Sequence, residues 1–186
     1  ERNVMKENVG WQDQIAASYG GFNNIVFKGN TYKVNKIKCK KSFQDNLNKK
    51  LFLLYTGKSR TAEKITRSYT NKLKNIKKQN IYKILNFVSE AKKIIKNNNT
   101  DDFGYLLNET WHQKRELSKI VSNNKIDELY MKGKNNGALG GKLLGAGGGG
   151  FLLFYVNTKN KEKFLNAFKK KVIVPIQLSE KGSEIT

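Results

Sequence analysis

The stretch from Gly145 to Gly150 holds five glycines and one alanine between two apolar runs. Residues without a Cβ leave their peptide N–H groups bare. Such a loop supplies the positive φ angles of a wide hairpin, or it presents amides to an anion and lets a second loop lie against it. A hairpin connection needs one or two glycines, not five. The stretch is not a Walker loop, because no Gly-Lys-Ser/Thr follows and it opens a strand rather than a helix. On residue types alone both readings stand. Other side chains able to do chemistry are few. Asp13 lies between Gln12 and Gln14, and by itself reads as an ordinary solvated helix residue. Arg60 follows an apolar run, and its guanidinium suits a phosphate or a sugar oxygen, or a surface pair with Glu63. Ser59 and Thr61 can touch a ligand or cap the helix that follows. His112, beside Trp111, reads as a partly exposed packing residue. Cys39 has no activating neighbour, and no Cys/His cluster suggests a structural zinc.

These residues sit in a chain of 186, enough for one domain or two small ones. The formal net charge is +21. Its positive part is nearly all lysine, with Arg2, Arg60, Arg67 and Arg115 as the arginines, and it is spread over every segment. That pattern argues against a nucleic-acid surface, where arginine with interleaved aromatics is expected. It still gives a field that recruits anionic substrates. One cysteine excludes an internal disulfide framework and fits a reducing, cytoplasmic setting. No apolar run reaches the roughly 18–20 residues that cross a bilayer, so no membrane partner is expected.

The elements that must position the candidates follow from periodicity. Residues 9–21 read as a short helix with a Gly20-Gly21 stop. Two alternating runs, NIVFKG and TYKVNKI, flank Gly29-Asn30 and predict a hairpin. Lys49–Gly57 reads as a buried strand, and the polar segment Cys39–Lys50 before it as a domain boundary. From Arg60 to Asn135 the chain reads as helical. Thr61–Asn75 carries apolar residues at wide helical spacing. Ile81, Ile84, Leu85, Val88, Ala91, Ile94 and Ile95 then form one amphipathic face. Thr100 or Asp101 can cap the next helix, which uses Phe103, Leu106, Leu107, Thr110, Trp111 and Leu117. Ile126–Lys134 is a last short helix. Strand, glycine block and strand follow, then a helix over Lys159–Lys171 with Phe164, Leu165 and Phe168 inward. Lys171–Leu178 reads as a final strand, with Pro175 marking a sheet edge. Strand, helices, strand, strand, helix, strand is the split βαβ order of an α+β, ferredoxin-like domain with a long helical insertion.

Four stretches carry a resemblance. GALGGKLLGAGGGGFLLFY (137–155) resembles the third signature motif of the GHMP kinase superfamily. GWQDQIAASYGG (10–21) is similar to the segment of galactokinase-like members in which an Asp-Gln pair carries the catalytic aspartate. LLYTGKSRTA (53–62) looks like the strand end followed by an Arg-Thr/Ser pair. LLNETWHQKRELS (106–118) looks like the mid-domain helix of the sugar-kinase branch. The four stand in the expected order and look most like the heptose 7-phosphate kinase branch. The Pro-x-x-x-Gly-Leu-Gly-Ser-Ser-Ala-like ATP loop and the first motif are not in the chain. The resemblance therefore implies the C-terminal part of such a kinase. Residues 1–48 would end an N-terminal domain, residues 49–186 would form the C-terminal domain, and the N-terminal half of the same kinase would be the missing partner. Alone, the chain is expected to bind ATP poorly and not to turn over.

The resemblance also implies roles. Asp13 would accept or orient the proton of the acceptor hydroxyl, Gln12 and Gln14 would bond sugar hydroxyls, and Arg60 with Ser59 would bind substrate. Gly145, Gly147, Gly148 and Gly149 would support the nucleotide-phosphate loop. ATP and Mg2+ are the implied cofactors, with no metal ligand assigned in this chain. The implied reaction is phosphorylation of the anomeric hydroxyl of D-glycero-D-manno-heptose 7-phosphate, with a galactose- or fucose-like sugar as the nearest alternative. The rival from another class is a basic nucleic-acid-binding module, which would need exposed aromatics such as Phe151 and Tyr155 on its sheet. Asp13→Asn is expected to cut the turnover of the complete enzyme severely and leave its melting temperature nearly unchanged. Unchanged turnover would remove Asp13 from the mechanism.

Overall fold

The computed structural model describes residues 10–57, 65 and 78–184. The expected helix over Thr61–Asn75 lies outside the described residues except for Ile65, which is buried. The Ile81 side chain lies outside them too.

Helix α1 (Gln12–Tyr19) leads into a hairpin of β1 (Asn23–Lys28) and β2 (Thr31–Lys36), in register from Asn23–Lys36 to Lys28–Thr31. Gly29 takes the positive φ, 58°, that the turn requires. Helix α2 (Lys41–Lys50) runs without a break into β3 (Leu51–Tyr55). Then come α3 (Lys78–Asn97), α4 (Thr100–Leu117) and α5 (Asn124–Asn135). Strands β4 (Ala138–Leu143) and β5 (Phe151–Val156) flank the glycine block. Helix α6 (Lys161–Ala167) and a short strand β6 (Ile173–Pro175) close the domain.

The main sheet has the order β4-β5-β3-β6, antiparallel at every junction. Numbered from β3, that is the order 2-3-1-4 of a split βαβ pair. Pro175 lies in the edge strand, opposite Phe52, where its missing N–H costs no ladder bond on the outer side. Strand alternation divides the core. Phe52, Leu54, Leu152 and Phe154 face Trp111, Tyr130, Phe164 and Phe168. Leu51 and Tyr155 face the opposite way, onto Phe43, Leu47 and Ile95. Helices thus pack on both faces; Tyr155 is wholly enclosed, whereas Phe151 stays 39% exposed beside Tyr55.

The structure differs from the expectations in four places. Cys39–Lys50 is not a polar connection throughout. Residues 41–50 form α2, whose Phe43, Gln44 and Leu47 are buried at a spacing of three and four, and the division at 48/49 falls in its last turn. Two apolar residues in ten are a weak periodic signal among lysines and asparagines. On α3, Leu85 and Val88 stay 56% and 44% exposed, and Phe87 turns inward instead. The cap of α4 is Asn99, whose side chain accepts from the Asp101 and Asp102 amides at 3.2 and 3.4 Å. The last strand is three residues rather than eight.

Two close contacts fix α4. Its N-terminal end is tied to the sheet by Asp101, which receives Lys50 Nζ at 2.8 Å and Tyr155 Oη at 2.6 Å. One turn on, Gly104 lies against β4. A Cβ on Gly140 would stand 1.9 Å from the Gly104 carbonyl oxygen, so helix and strand backbones touch there. Overpacking of this kind costs about 1–3 kcal/mol. Gly140→Ala is expected to lie at the upper end, about 3 kcal/mol in urea unfolding. A loss under about 1 kcal/mol would show that α4 and β4 are not packed backbone to backbone.

Candidate active site

Asp13 stands in the first turn of α1, exposed, with Gln12 and Gln14 exposed on either side. Three features hold that helix. Trp11 meets Tyr32 of the hairpin edge-on, with ring centroids 6.1 Å apart. Ile15 is buried. The C-terminal tail crosses the end of the helix: Gly21 N donates to Ser179 O at 2.8 Å and Ser183 N to Ala17 O at 3.1 Å. The crossing is so close that a Cβ on Gly182 would stand 1.9 Å from Ser18 O. Asp13 is therefore placed by the last residues of the chain as much as by its own neighbours.

The glycine block is a loop with positive φ at Gly145, Gly147, Gly148 and Gly150. Part of it is structural. Gly148 N donates to Val121 O at 2.9 Å, and a Cβ on Gly147 would reach that same oxygen at 2.9 Å. Asn123, which caps α5 through Ile126 N, also donates from Nδ2 to Gly148 O at 3.4 Å. The far end of the loop is held by Thr56, whose N and Oγ1 both reach Gly150 O at 2.9 Å. The second loop that the bare backbone approaches is thus the α4–α5 connection. That connection is fixed in turn by Asp127, which accepts from Arg115 Nη2 at 2.9 Å and Ser122 Oγ at 2.6 Å. Gly148 is the residue of the block whose amide bonds within the described residues. Through Gly148 the loop meets Asn123, the cap of α5, and a helix N-terminus favours an anion.

Lys114 joins the two halves of the site. From the last turn of α4 its ammonium donates to Leu143 O at 3.3 Å and to Gly145 O, the shoulder of the glycine loop. Burial pushes its pKa down to about 8, the neighbouring Lys142 ammonium adds to that, and the Asp13 carboxylate opposes it. Lys142 and, more weakly, Asp13 are thus the charges that act on Lys114. Burial also holds Lys142 below the ordinary lysine range. Sequence reasoning missed both lysines, although each lies inside a quoted motif, because a lysine among so many carries no signal by type.

Ser59 and Arg60 lie outside the described residues. His112 is exposed and stands edge-on to Tyr130. The Cys39 thiol is pushed up by burial and by Glu180, which makes it a poor nucleophile. Among the described residues no three His, Cys, Asp or Glu side chains form a group that could hold a metal ion, and no helix is long and apolar enough to cross a membrane.

Residues 88–174 match the family of GHMP kinases, C terminal. The chain carries a GHMP kinase C-terminal domain. It is 31% identical over 163 residues to a D-glycero-alpha-D-manno-heptose 7-phosphate kinase of Campylobacter jejuni, covering 87% of this chain and 48% of that protein. Among solved structures, a putative sugar kinase from Campylobacter jejuni is 28% identical with a TM-score of 0.69, covering 98% of this chain and 52% of that one. A D-glycero-D-manno-heptose 1-phosphate kinase from Bacteriodes thetaiotaomicron shares the fold at 22% identity and a TM-score of 0.67, covering 100% of this chain and 52% of that one. The chain thus spans about half the length of these relatives.

The depressed Lys114 fixes a sign for pH dependence. Its folded pKa, about 8, lies below the ordinary 10.5, so between those values the unfolded chain holds a proton the folded chain has released. Stability from this group rises with pH across that window. The unfolding free energy of the native chain, minus that of Lys114→Met, is expected to grow between pH 8 and pH 10 in urea titrations. A flat or falling difference would show that Lys114 is not desolvated.

Proposed function

We propose that the chain is the C-terminal part of a cytoplasmic GHMP-type sugar kinase acting on a heptose phosphate. The observation that carries this reading is the glycine loop, pinned by Lys114 and Val121, with the Asp13 carboxylate among the charges that act on Lys114. A carboxylate on one side and a loop of free amides on the other is what phosphoryl transfer asks of a protein, since the chemistry needs positioning and charge stabilisation. The relative named for heptose 7-phosphate supports the substrate class.

ATP with Mg2+ supplies the phosphoryl group when bound. The residues present fit a phosphate chain: the Gly149 and Gly150 amides and the N-terminus of α5 would receive it. No magnesium ligand is assigned. Asp13 takes the proton from the attacking hydroxyl, with Gln12 and Gln14 orienting the sugar beside it. Lys114 steadies the loop through the Leu143 and Gly145 carbonyls. Arg60 and Ser59 complete the substrate side in this reading. The hairpin supports a further domain packing here, because Val26, Phe27 and Tyr32 are left 45–49% exposed on one short ribbon. The N-terminal half of the kinase is the proposed cover.

The test is an assay of the full-length protein with MgATP and a panel of sugars, following ADP release and the 31P signal of an anomeric phosphate. Heptose 7-phosphate is expected to be the best acceptor, with a new anomeric resonance. Preference for free galactose or fucose would replace the substrate, and no sugar-dependent ADP release would end the kinase reading.

A further inference from the structure

Lys142 is a half-buried ammonium that nothing so far explains. Among the described residues it has no hydrogen-bond or ion-pair partner. This is unusual energetically, because a buried charge is normally paired or bound to a ligand. It stands next to a second desolvated ammonium, Lys114, whose hydrogen bonds go to neutral carbonyls. Lys142 also faces a cavity of about 410 Å³ enclosed by the β1–β2 hairpin, α3 and α4, with Phe22, Ile37, Phe87, Leu107 and Thr110 among its walls. Lys92 lines the same cavity, and its mostly apolar walls strengthen the field of the cations they face.

We infer that Lys142 is the specificity residue of the site, binding the phosphate that the acceptor already carries, with Lys114 as the second cation on the Asp13 side. Three things point to an anion and to this end of the substrate. The two lysines carry two positive charges with one carboxylate near them, Asp13, which acts on Lys114. Asp13 is among the charges that act on Lys114 and not among the causes for Lys142, so Lys142 is the lysine less coupled to the base. The loop amides for the transferred phosphoryl group lie at Gly149 and Gly150, whereas Lys142 precedes the loop in β4. A dianionic group at the far end of a sugar fits the remaining cation. The body of the sugar stays on the polar side, beside Gln12 and Asp13. This inference rests on the sugar-kinase reading for its substrate but not for its anion.

The test has two arms. In the first, the full-length protein is labelled with pyridoxal 5′-phosphate and borohydride, and the modified lysines are mapped by mass spectrometry with and without inorganic phosphate. Lys142 is expected to be labelled and to be protected by phosphate. Labelling that phosphate does not reduce would overturn the subsite. In the second, Lys142→Met and Lys142→Arg are compared with the native enzyme on heptose 7-phosphate and on the dephosphorylated heptose. Losing one charge-assisted hydrogen bond costs a factor of about ten or more. Lys142→Met should raise KM for the phosphorylated sugar by at least that factor, several times more than it raises KM for the free heptose, with a smaller effect on KM for ATP. Lys142→Arg should recover most of the loss. A rise in KM for ATP instead would assign the anion to the nucleotide and overturn the proposal, as would equal losses on both sugars. Melting temperatures of both variants separate misfolding from binding: a Lys142→Met protein that melts early is replaced by the protection readout on the native chain. If the native enzyme phosphorylates no sugar, the kinase reading falls while phosphate protection still decides Lys142.

Discussion

The geometry of this domain depends on one contact between backbones, where α4 lies on β4 at Gly104 and Gly140. From there helix and strand run side by side in the same sense. Ten helical residues, Gly104 to Lys114, rise about 15 Å. Five extended residues, Gly140 to Gly145, cover about 17 Å. The two paths are commensurate, so the last turn of α4 arrives where the strand gives way to the glycine loop. Lys114 then reaches the Leu143 and Gly145 carbonyls. A larger residue at either glycine would lift the helix, and Lys114 would move off the loop before any site residue had changed.

The loop itself divides its glycines between two jobs. Gly147 lies tight against Val121, so its lack of a Cβ is a packing requirement set by the α4–α5 turn, and Gly148 bonds Val121 O from a positive φ of 74°. Gly150 ends the loop on Thr56, which reaches its carbonyl from both N and Oγ1. The count that was too high for a hairpin is explained by these two demands on six residues. The same connection carries the Asp127 pair with Arg115, so the helices that build the core also hold the floor under the loop. Asp13 comes from the other side on α1, pinned by a tail that returns from the far end of the chain. A site assembled this way depends on long-range folding, and neither half is complete locally.

What was legible in the sequence is what local pattern encodes. The split βαβ order followed from alternating and 3.6-period runs, and Pro175 marked the edge strand because a missing N–H is tolerated only there. The glycine block and the Asp13 segment stood out because their residue types are improbable for ordinary packing. What was not legible was whatever depends on partners far away in the chain. Helix α2 shows only Phe43 and Leu47 against a polar background, and its meaning comes from Tyr155 and Ile95, which share its core far along the chain. The Asn99 cap was displaced by one position, since Asn, Thr and Asp stand in a row and each can accept from an amide. Lys142 and Lys114 were hidden by composition, because burial and not residue type distinguishes them from the other lysines.

The lysines make the last point about how environment assigns roles. Lys50, Lys114 and Lys142 are all withdrawn from water, and burial pushes each of them down. For Lys50 the bonds to Asp101 and Tyr155 outweigh that penalty and leave the ammonium above its ordinary range. Asp101 is correspondingly held low, by the Lys50 bond first and the Tyr155 bond second. Lys50 is therefore complete as it stands, a strut between α2, α4 and β5. Lys114 has carbonyls for partners and a carboxylate only at a distance, and Lys142 has neither. The difference between a structural lysine and a ligand-ready one is thus the presence of a close carboxylate. Among the described residues Lys114 and Lys142 are buried ammoniums without one, and each acts where β4 meets the glycine loop.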